Sequence, residues 1–401
     1  MSISDDGSSL RDIIIPDDIS AIFHSVLKTA KIWTGLRAWF DARGYFIYPF
    51  ITSEDPLPTD LLMYELGPGP ASFPYAHVGS KNIFDRMRFH KMPSLWPAVS
   101  KEHQDVMIKI LSTECDEVAI LKYLMSGSQR SDPLNLTVPI LDLFRFDHRY
   151  SFVVMPRWGP ASYLEQTGFD CLGTALEYGL CMLKALAFLH KNLIAHRDIK
   201  PDNVLVNYYD EDPRLLLDYR LFFKSKQTKF VLCDFGLSVM FPPDTPPSAR
   251  VCPAEESTWG TFEYHPPDVA NGEAVYDPFA YDVACMGGVL CHVIGYMTPL
   301  APPLAPFLDG MIIQDISSRY TAAEALEAYI RMMENLDPAS LETPAPSPPP
   351  LPDYVWQAFD RWAGLPEEFV KEYSAHRPPV RPRRKVAQVD GTFYFVEWNS
   401  R

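Results

Sequence analysis

The spacing of apolar residues in the middle of the chain predicts a polar loop held between a helix and a strand. Apolar residues recur at helical spacing from Leu176 to Ala187, which predicts a helix over residues 174–190. The run Val204-Leu205-Val206 predicts a short strand. Between them lies His196-Arg197-Asp198-Ile199-Lys200-Pro201-Asp202-Asn203, which places a carboxylate, an ammonium and a side-chain amide close together. A loop anchored at both ends would hold these groups rigidly, as a catalytic loop requires.

Apolar patterns elsewhere predict further strands and helices. Strands are predicted at Val106–Ile110, Val138–Leu143, Phe152–Met155 and Phe230–Leu232. Helices are predicted within 17–44, over 117–124 and 281–294, from Thr321 onward through a capping box with Glu324, and near 353–374. The polar face of the first helix is not rich in Lys and Arg, so we expect it to pack on the following domain rather than lie on a membrane.

Lys109 lies at the centre of the predicted strand Val106–Ile110, among apolar residues. An ammonium buried there without a partner would be costly, so the position needs an explanation. Glu117, in the helix that follows, is a candidate partner, and Glu114 is an alternative one turn earlier. The simpler interpretation is a half-exposed strand whose lysine points to water.

Two aspartates stand at the ends of predicted elements. Asp234 follows the strand Phe230–Leu232 in the sequence Cys233-Asp234-Phe235-Gly236. This is a good position for a metal ligand, although such turns are also common without a metal. Asp282 falls in the first turn of the helix predicted over 281–294, where the helix dipole by itself favours a carboxylate.

Composition narrows the class of protein. The 401 residues carry a formal net charge of −15, which argues against a nucleic-acid-binding surface. The seven cysteines include no C-x-x-C pair, which indicates reduced thiols rather than a disulfide framework or a zinc site. The N-terminus has no apolar signal core, and no run of about 18 apolar residues occurs. We therefore expect a cytoplasmic or nuclear protein without a membrane partner; the 38 prolines indicate long irregular connections.

The order of these features resembles the protein kinase family. The family's motifs follow one another between roughly residues 95 and 335: Lys109, Glu117, H-R-D to Asn203, D-F-G at 234–236, Gly260-Thr261, Pro267-Asp268, Asp282 and Arg319. The stretch Met155-Pro156-Arg157-Trp158-Gly159 is similar to the hinge of a divergent fungal kinase group. The resemblance implies a two-lobed α+β fold with a small β-rich N-lobe and a larger, mostly helical C-lobe. It divides the chain into an N-terminal extension (1–59), an N-lobe (60–155), a C-lobe (156–335) and a Pro-rich tail with a short helix and a basic run (336–401).

The resemblance also implies the roles of individual residues in transfer of the ATP γ-phosphoryl group to Ser or Thr of protein substrates. Asp198 would orient the acceptor hydroxyl and accept its proton, and Lys200 would lie near the transferred group. Asn203 and Asp234 would hold Mg²⁺, which prefers oxygen ligands. Lys109 would contact the α and β phosphates and be held by Glu117. The other residues expected at the nucleotide are Leu95, Met107, Met155 and Leu205.

Arg197, beside the proposed base, implies a pocket for a phosphate on the activation segment. The candidate phosphorylation sites there are Thr245, Ser248, Ser257 and Thr258. A regulatory partner or an upstream kinase is therefore expected in addition to the protein substrate.

The chain departs from the family pattern in ways that concern the nucleotide. The position expected for the glycine-rich loop, 87–94, contains no glycine, and Gly67 and Gly69 lie far upstream of Lys109. Met107 stands where the family usually has alanine. The proline-rich span after 294 is short enough to lack the helix that family members often use for substrate docking, and Asp268 replaces a glutamate. The first two departures support an alternative, a pseudokinase scaffold without turnover; a small-molecule kinase of related fold is a third interpretation.

Overall fold

The computed structural model describes residues 26–50, 66, 72–79, 94–209, 222, 227–260, 264, 266, 269, 274–349, 360–373, 383–389 and 392–398. These residues belong to two compact units. The first unit comprises 1–132, 138–160 and 205–228, and the second comprises 133–137, 161–204 and 229–401. The first is rich in strands and the second is mostly helical, so the predicted α+β class is confirmed.

An antiparallel sheet of five strands forms the centre of the first unit, in the order β1-β3-β4-β6-β5. The strands of this unit, with two short pairs outside the sheet, are β1 Tyr45–Ile47, β2 His77–Val78, β3 Leu95–Ser100, β4 Asp105–Ser112, β5 Asp142–Arg145, β6 Tyr150–Pro156, β7 Gly159–Pro160, β9 Val204–Val206 and β10 Tyr208–Tyr209. Two helices follow β4: α2 Asp116–Leu124 and α3 Gly127–Ser131. The predicted strands around Lys109 and at Phe152–Met155 are confirmed.

The strand predicted at Val138–Leu143 is wrong in position. The structure places β5 at Asp142–Arg145; residues 138–140 belong to no strand, and the Leu141 N–H already donates to the Val154 carbonyl of β6 at 2.8 Å. Val138 and Ile140 are buried, which explains their apolar character, but Pro139 between them has no N–H to donate to a neighbouring strand. The buried residues of this stretch therefore precede β5, whose own residues are partly buried or exposed.

Helix α1, Val26–Asp41, packs its aromatic residues on one face of the five-stranded sheet. The Trp33 ring stacks on Trp96 of β3 at 5.7 Å between centroids, and Phe40 meets Phe152 of β6 edge-on at 4.9 Å. Burying side chains of this size stabilises the unit by about 1.5–3 kcal/mol each. The predicted packing role is thus confirmed, and α1 belongs to the first unit although the sequence assigns it to an extension, 1–59.

The second unit is built on helices around a long buried pair. Its helices are α4 Tyr163–Thr167, α5 Leu172–Lys191, α6 Pro278–Ile294, α7 Leu304–Ile312, α8 Ala322–Glu334, α9 Pro338–Leu341 and α10 Glu367–Tyr373. Its short strands are β8 Ile194–Ala195, β11 Phe230–Leu232, β12 Val239–Met240, β13 Cys252–Pro253 and β14 Val275–Tyr276. Gly179 lets α8 approach α5, because a Cβ there would lie 2.3 Å from the Tyr329 hydroxyl oxygen, which donates to the Leu176 carbonyl.

Among the described residues, two stretches are long and apolar enough to cross a membrane by length and composition alone, namely Leu172–Lys191 and Pro278–Met297. Most of each stretch, 72% and 83%, is buried inside the protein. Such burial is what core helices show, because their apolar faces pack on other helices rather than on lipid.

The proline-rich span after α6 contains helix α7, and the absence of the family's substrate-docking helix from this span stays a prediction. Helix α7 begins directly after Pro303 and includes Pro306 in its first turn. Prolines are tolerated there because the first N–H groups of a helix have no partner within it. The capping box at Thr321 and Glu324 is confirmed at the start of α8.

The C-terminal part of the chain is more structured than the sequence indicates. Helix α10 confirms only the end of the helix predicted near 353–374, and 353–359 lie outside the described residues. Arg383–Lys385 of the predicted basic run begin β15 Arg383–Val389, which pairs with β16 Thr392–Trp398 in an antiparallel hairpin. Residues 1–16 also lie outside the described part of the chain.

Candidate functional site

The loop from His196 to Asn203 is anchored by Asp282, a fully buried residue of α6. One Asp282 carboxylate oxygen accepts the His196 N–H at 2.6 Å, and the other accepts the Arg197 N–H at 2.7 Å. The His190 ring nitrogen lies 3.1 Å from the same carboxylate. The sequence interpretation of Asp282 as a helix start is therefore wrong, because α6 begins at Pro278 and Asp277 caps it. The sequence signal for this role is a carboxylate within a largely apolar helix, because a buried carboxylate needs polar partners.

Three side chains of the predicted site converge within this loop. The Lys200 ammonium lies 2.8 Å from the Asp198 carboxylate. The Asn203 amide nitrogen donates to the same carboxylate at 3.0 Å and to the Asp198 carbonyl at 2.7 Å. Asn203 is buried and ends the short 3₁₀ turn Pro201–Asn203, directly before β9. Because its position is fixed in this way, its amide holds Asp198 in one orientation. A carboxylate oriented in this way can align and deprotonate a hydroxyl group.

Asp234 is placed next to this loop by its neighbours. The Cys233 N–H donates to the Asn203 carbonyl at 2.9 Å, and the Cys233 carbonyl lies 3.0 Å from the His196 ring nitrogen. Phe235 is buried beside the His196 ring, whereas Asp234 is exposed. Asp234 has a positive φ of 67°, which is unusual for a residue with a side chain and concentrates at functional sites.

Asn203 and Asp234 fit a divalent cation that also takes ligands from a substrate. The Asn203 amide nitrogen is used by Asp198, so the atom that this residue offers to a cation is its amide oxygen. Among the described residues, no group of three or more His, Cys, Asp or Glu side chains could hold a metal. One carboxylate and one amide are few ligands for a dedicated cage, but they suit Mg²⁺, which is commonly shared between a protein and phosphates.

Lys109 and Glu117 form an ion pair in the first unit. The Lys109 Nζ lies 2.7 Å from the Glu117 Oε1, and the two side chains are 16% and 7% exposed. Helix α2 begins within four residues of the end of β4, which puts Glu117 in its first turn. The structure thus identifies Glu117 rather than Glu114 as the partner and contradicts a lysine that simply points to water.

Three of the residues predicted to contact a nucleotide lie on the same face of the sheet as Lys109. Met107 precedes Lys109 by two positions on β4, Met155 of β6 is opposite Met107, and Leu95 of β3 is opposite Lys109. Cross-strand partners share a face, and all four side chains are partly exposed. The fourth predicted residue, Leu205, lies on β9 opposite Pro160 and is also partly exposed.

Arg197 meets an anion that the sequence did not identify. Its Nη2 donates to the Glu256 carboxylate at 2.6 Å, and its Nε donates to the Tyr276 hydroxyl at 2.8 Å. Burial by itself lowers the pKa of Arg197, but Tyr276, Cys252 and Glu256 outweigh it and raise that pKa. Burial raises the pKa of Tyr276, so this phenol accepts from Arg197 as a neutral group.

Several sequence predictions fall on positions that the structure leaves undescribed. These are Gly67 and Gly69, residues 87–93 of the expected glycine-rich loop, and Thr261, Pro267 and Asp268. The Arg319 guanidinium donates to the carbonyls of Ile313 and Ala280, which fixes it near the start of α6. The resemblance also implies that Asp268 pairs with Arg319, and this stays a prediction because Asp268 lies outside the described residues.

Comparisons with known proteins find protein kinases. A family model described as protein kinase domain matches residues 161–301. The chain is 26% identical over 236 residues to the serine/threonine-protein kinase PknA of Nostoc sp., covering 53% of this chain and 37% of that protein. It is 32% identical over 154 residues to human mitogen-activated protein kinase kinase kinase 5, covering 38% of this chain and 9% of that protein. Aurora kinase of Yarrowia lipolytica is 28% identical over 169 residues, covering 41% and 38%. The chain thus spans less than two thirds of the length of these relatives.

Proposed function

The chain belongs to the eukaryotic-type protein kinase family, and from this premise we propose that it transfers the γ-phosphoryl group of ATP to Ser or Thr of a protein. One observation carries the proposal. The Asp198 carboxylate, the Lys200 ammonium and the Asn203 amide converge within 3.0 Å on a loop whose backbone is held by a buried aspartate. Phosphoryl transfer needs positioning and charge neutralisation more than covalent chemistry, and this cluster supplies both.

In the proposed reaction, Asp198 accepts the proton of the acceptor hydroxyl as the hydroxyl oxygen bonds to the γ-phosphorus and the bond to the ADP oxygen breaks. Lys200, which already contacts Asp198, neutralises charge on the transferred group. A protein kinase domain implies ATP and a divalent metal, which together supply the phosphoryl group and its charge neutralisation; we propose Mg²⁺, held by Asn203 and Asp234. Lys109 contacts the α and β phosphates, and Glu117 holds its ammonium in place.

A pseudokinase scaffold is the second candidate, and two features of the sequence favour it. No glycine occurs at 87–94, where backbone N–H groups would otherwise surround the phosphates. Met107 adds to this doubt about nucleotide binding, because a large flexible side chain stands where the family usually has alanine. A scaffold of this kind would keep the ion pair and the loop without turnover.

The proposed substrate is a protein, because a protein kinase domain acts on proteins. A regulatory partner or an upstream kinase, and a cytoplasmic or nuclear location, are proposals that rest on the sequence alone. The placement within a divergent fungal group is also a proposal, based on Met155-Pro156-Arg157-Trp158-Gly159.

The test compares wild type with Asp198→Asn, Asp234→Ala and the control Asp202→Asn. Asp202 is an exposed carboxylate in the same loop, so its variant controls for loss of charge. Transfer of labelled phosphate to the protein itself, to casein and to histone is measured with Mg²⁺ and ATP. We expect transfer by wild type and Asp202→Asn, and a loss of about 10²–10⁴-fold in Asp198→Asn.

A thermal shift with Mg²⁺ and ATP separates the two candidates. Wild type that is stabilised by Mg²⁺ and ATP but transfers no phosphate would support the scaffold. Wild type with neither a shift nor transfer would contradict nucleotide use altogether.

A further inference from the structure

We infer that Glu256 is a permanent anionic partner of Arg197, so that the catalytic loop is positioned without a phosphate on the activation segment. The inference rests on the proposed function, because it assigns a positioning residue to the same reaction. Its evidence is separate: the contacts of Arg197, the framework that carries Glu256, and the burial of a nearby phosphorylation candidate.

The Arg197 side chain is enclosed, and two of its three nitrogens have hydrogen-bond partners. The side chain is 7% exposed, with Nη2 on Glu256 and Nε on Tyr276. Its guanidinium carbon lies 5.7 Å from the centre of the Trp259 ring, which covers another side. A guanidinium binds a carboxylate or a phosphate through the same N–H groups, so a phosphate would have to displace Glu256 to take this place.

A short paired framework presents Glu256 to Arg197. Glu256 lies in the 3₁₀ helix Ala254–Thr258, directly after β13, which pairs with β14 so that Cys252 is opposite Tyr276. The Ala254 N–H donates to the Ala274 carbonyl at 3.0 Å. The Tyr281 hydroxyl donates to the Ser257 carbonyl at 3.1 Å, which ties the helix to α6. Glu256 and Tyr276, the two partners of Arg197, therefore belong to one hydrogen-bonded framework.

Arg197 transmits this contact to Asp198, the next residue. Arg197 has a positive φ of 69°, a conformation that residues with side chains rarely adopt without support. Asp282 holds its backbone N–H, while Glu256 and Tyr276 hold its side chain. Because both ends of the residue are fixed, the peptide that leads into Asp198 has one orientation.

The phosphorylation candidate next to Glu256 is not accessible to a kinase. Ser257 is 3% exposed, and its hydroxyl donates to the Ala254 carbonyl at 2.7 Å. A phosphate on Thr245 or Ser248 carries nearly two negative charges. If it reached Arg197, the carboxylates of Glu256 and Asp282 would repel it. The local charges therefore favour the carboxylate that is already present.

The test compares Glu256→Gln with Glu255→Gln, a neighbouring exposed carboxylate of the same helix. With phosphatase-treated protein, we expect wild type to keep its activity and Glu256→Gln to lose about 10-fold or more in kcat, with KM for ATP within about twofold. Glu255→Gln should stay within about twofold of wild type. Arg197→Gln combined with Glu256→Gln should be no less active than the worse single variant, because the two residues act as one unit.

Two other outcomes overturn the inference. One is activity of wild type that disappears with phosphatase and returns only when the activation segment is phosphorylated, which would leave the kinase function intact. The other is equal kcat in Glu256→Gln and wild type.

A wild type that transfers no phosphate would contradict the proposed function but not decide the role of Glu256. Hydrogen exchange then decides it: faster exchange of the Arg197 and Asp198 amides in Glu256→Gln than in Glu255→Gln supports positioning. Equal exchange rates overturn it.

Discussion

Two buried carboxylates, one in each unit, are held in different ways. Glu117 in the first unit has one ammonium partner, Lys109, supplied by a neighbouring strand. Asp282 in the second unit accepts two main-chain N–H groups and approaches a histidine ring. A side-chain partner can move or be replaced, whereas a main-chain N–H cannot. The first arrangement therefore suits a contact that can be adjusted, and the second suits a loop that must keep one shape.

The largest effect is expected for Asp282→Ala. It leaves two buried N–H groups without an acceptor, so we expect a loss of about 4 kcal/mol in the free energy of unfolding and of about 100-fold in kcat. Urea unfolding and phosphate-transfer assays measure the two. Asp277→Ala, which removes only the exposed cap of the same helix, should cost about 1 kcal/mol. Equal losses in the two variants would contradict a special role for Asp282.

A similar loss of stability without a loss of activity is expected for Asp309→Ala. This carboxylate of α7 is 3% exposed and binds the Arg361 guanidinium and the Trp362 indole N–H, the latter at 2.7 Å. Leaving Arg361 buried without its partner should lower the free energy of unfolding by about 3 kcal/mol. Chemical denaturation followed by Trp fluorescence measures this. The neighbouring change Asp315→Ala is the control, because Asp315 is exposed and bonds only to nearby serines among the described contacts.

Glu117→Gln should cost about 2 kcal/mol, less than Asp282→Ala, because an amide oxygen can still accept from Lys109. The double variant Lys109→Met, Glu117→Leu should recover stability relative to the single variant, since an apolar pair avoids burying charge. We expect no phosphate transfer by the double variant, because it lacks Lys109. Urea midpoints of the three proteins test the stability, and recovered activity in the double variant would exclude Lys109 from the reaction.

The smallest effect is expected for loss of the capping box that Thr321 forms with the exposed carboxylate of Glu324. Thr321→Ala removes the capping box of α8 and should cost about 1 kcal/mol at pH 7, with unchanged activity. Hydrogen bonds from the Thr321 backbone and side chain hold the pKa of Glu324 below its usual value. A lowered folded-state pKa gives stability that is present above the unfolded pKa and is lost as pH falls through the folded one. The difference from wild type should therefore shrink as pH falls below about 4; a difference that grows there would contradict this contact.

Local patterns identified most of the elements around the site. Helix α5, strands β4, β6, β9 and β11, and the capping box of α8 follow from periodicity and from residue types next to one another in the chain. The wrong predictions involve context. Val138 and Ile140 are buried without belonging to a strand, and Asp282 accepts main-chain N–H groups of a loop instead of starting a helix. Burial and helix starts depend on what lies nearby in space, which periodicity does not record.

The sequence by itself determined the order of chemical groups: a strand lysine, a loop with Asp198, Lys200 and Asn203, and Asp234 after a strand. Each of these groups lies within a few residues of the helix or strand that holds it, so local sequence patterns were sufficient to predict its position. Only the tertiary structure decided which carboxylates hold them. Glu117 instead of Glu114, Asp282 as an anchor and Glu256 on Arg197 depend on contacts between residues 8, 85 and 59 positions apart. Which charged groups form a pair depends on the distance between them in the folded protein, and that distance is set only when the helices and strands pack.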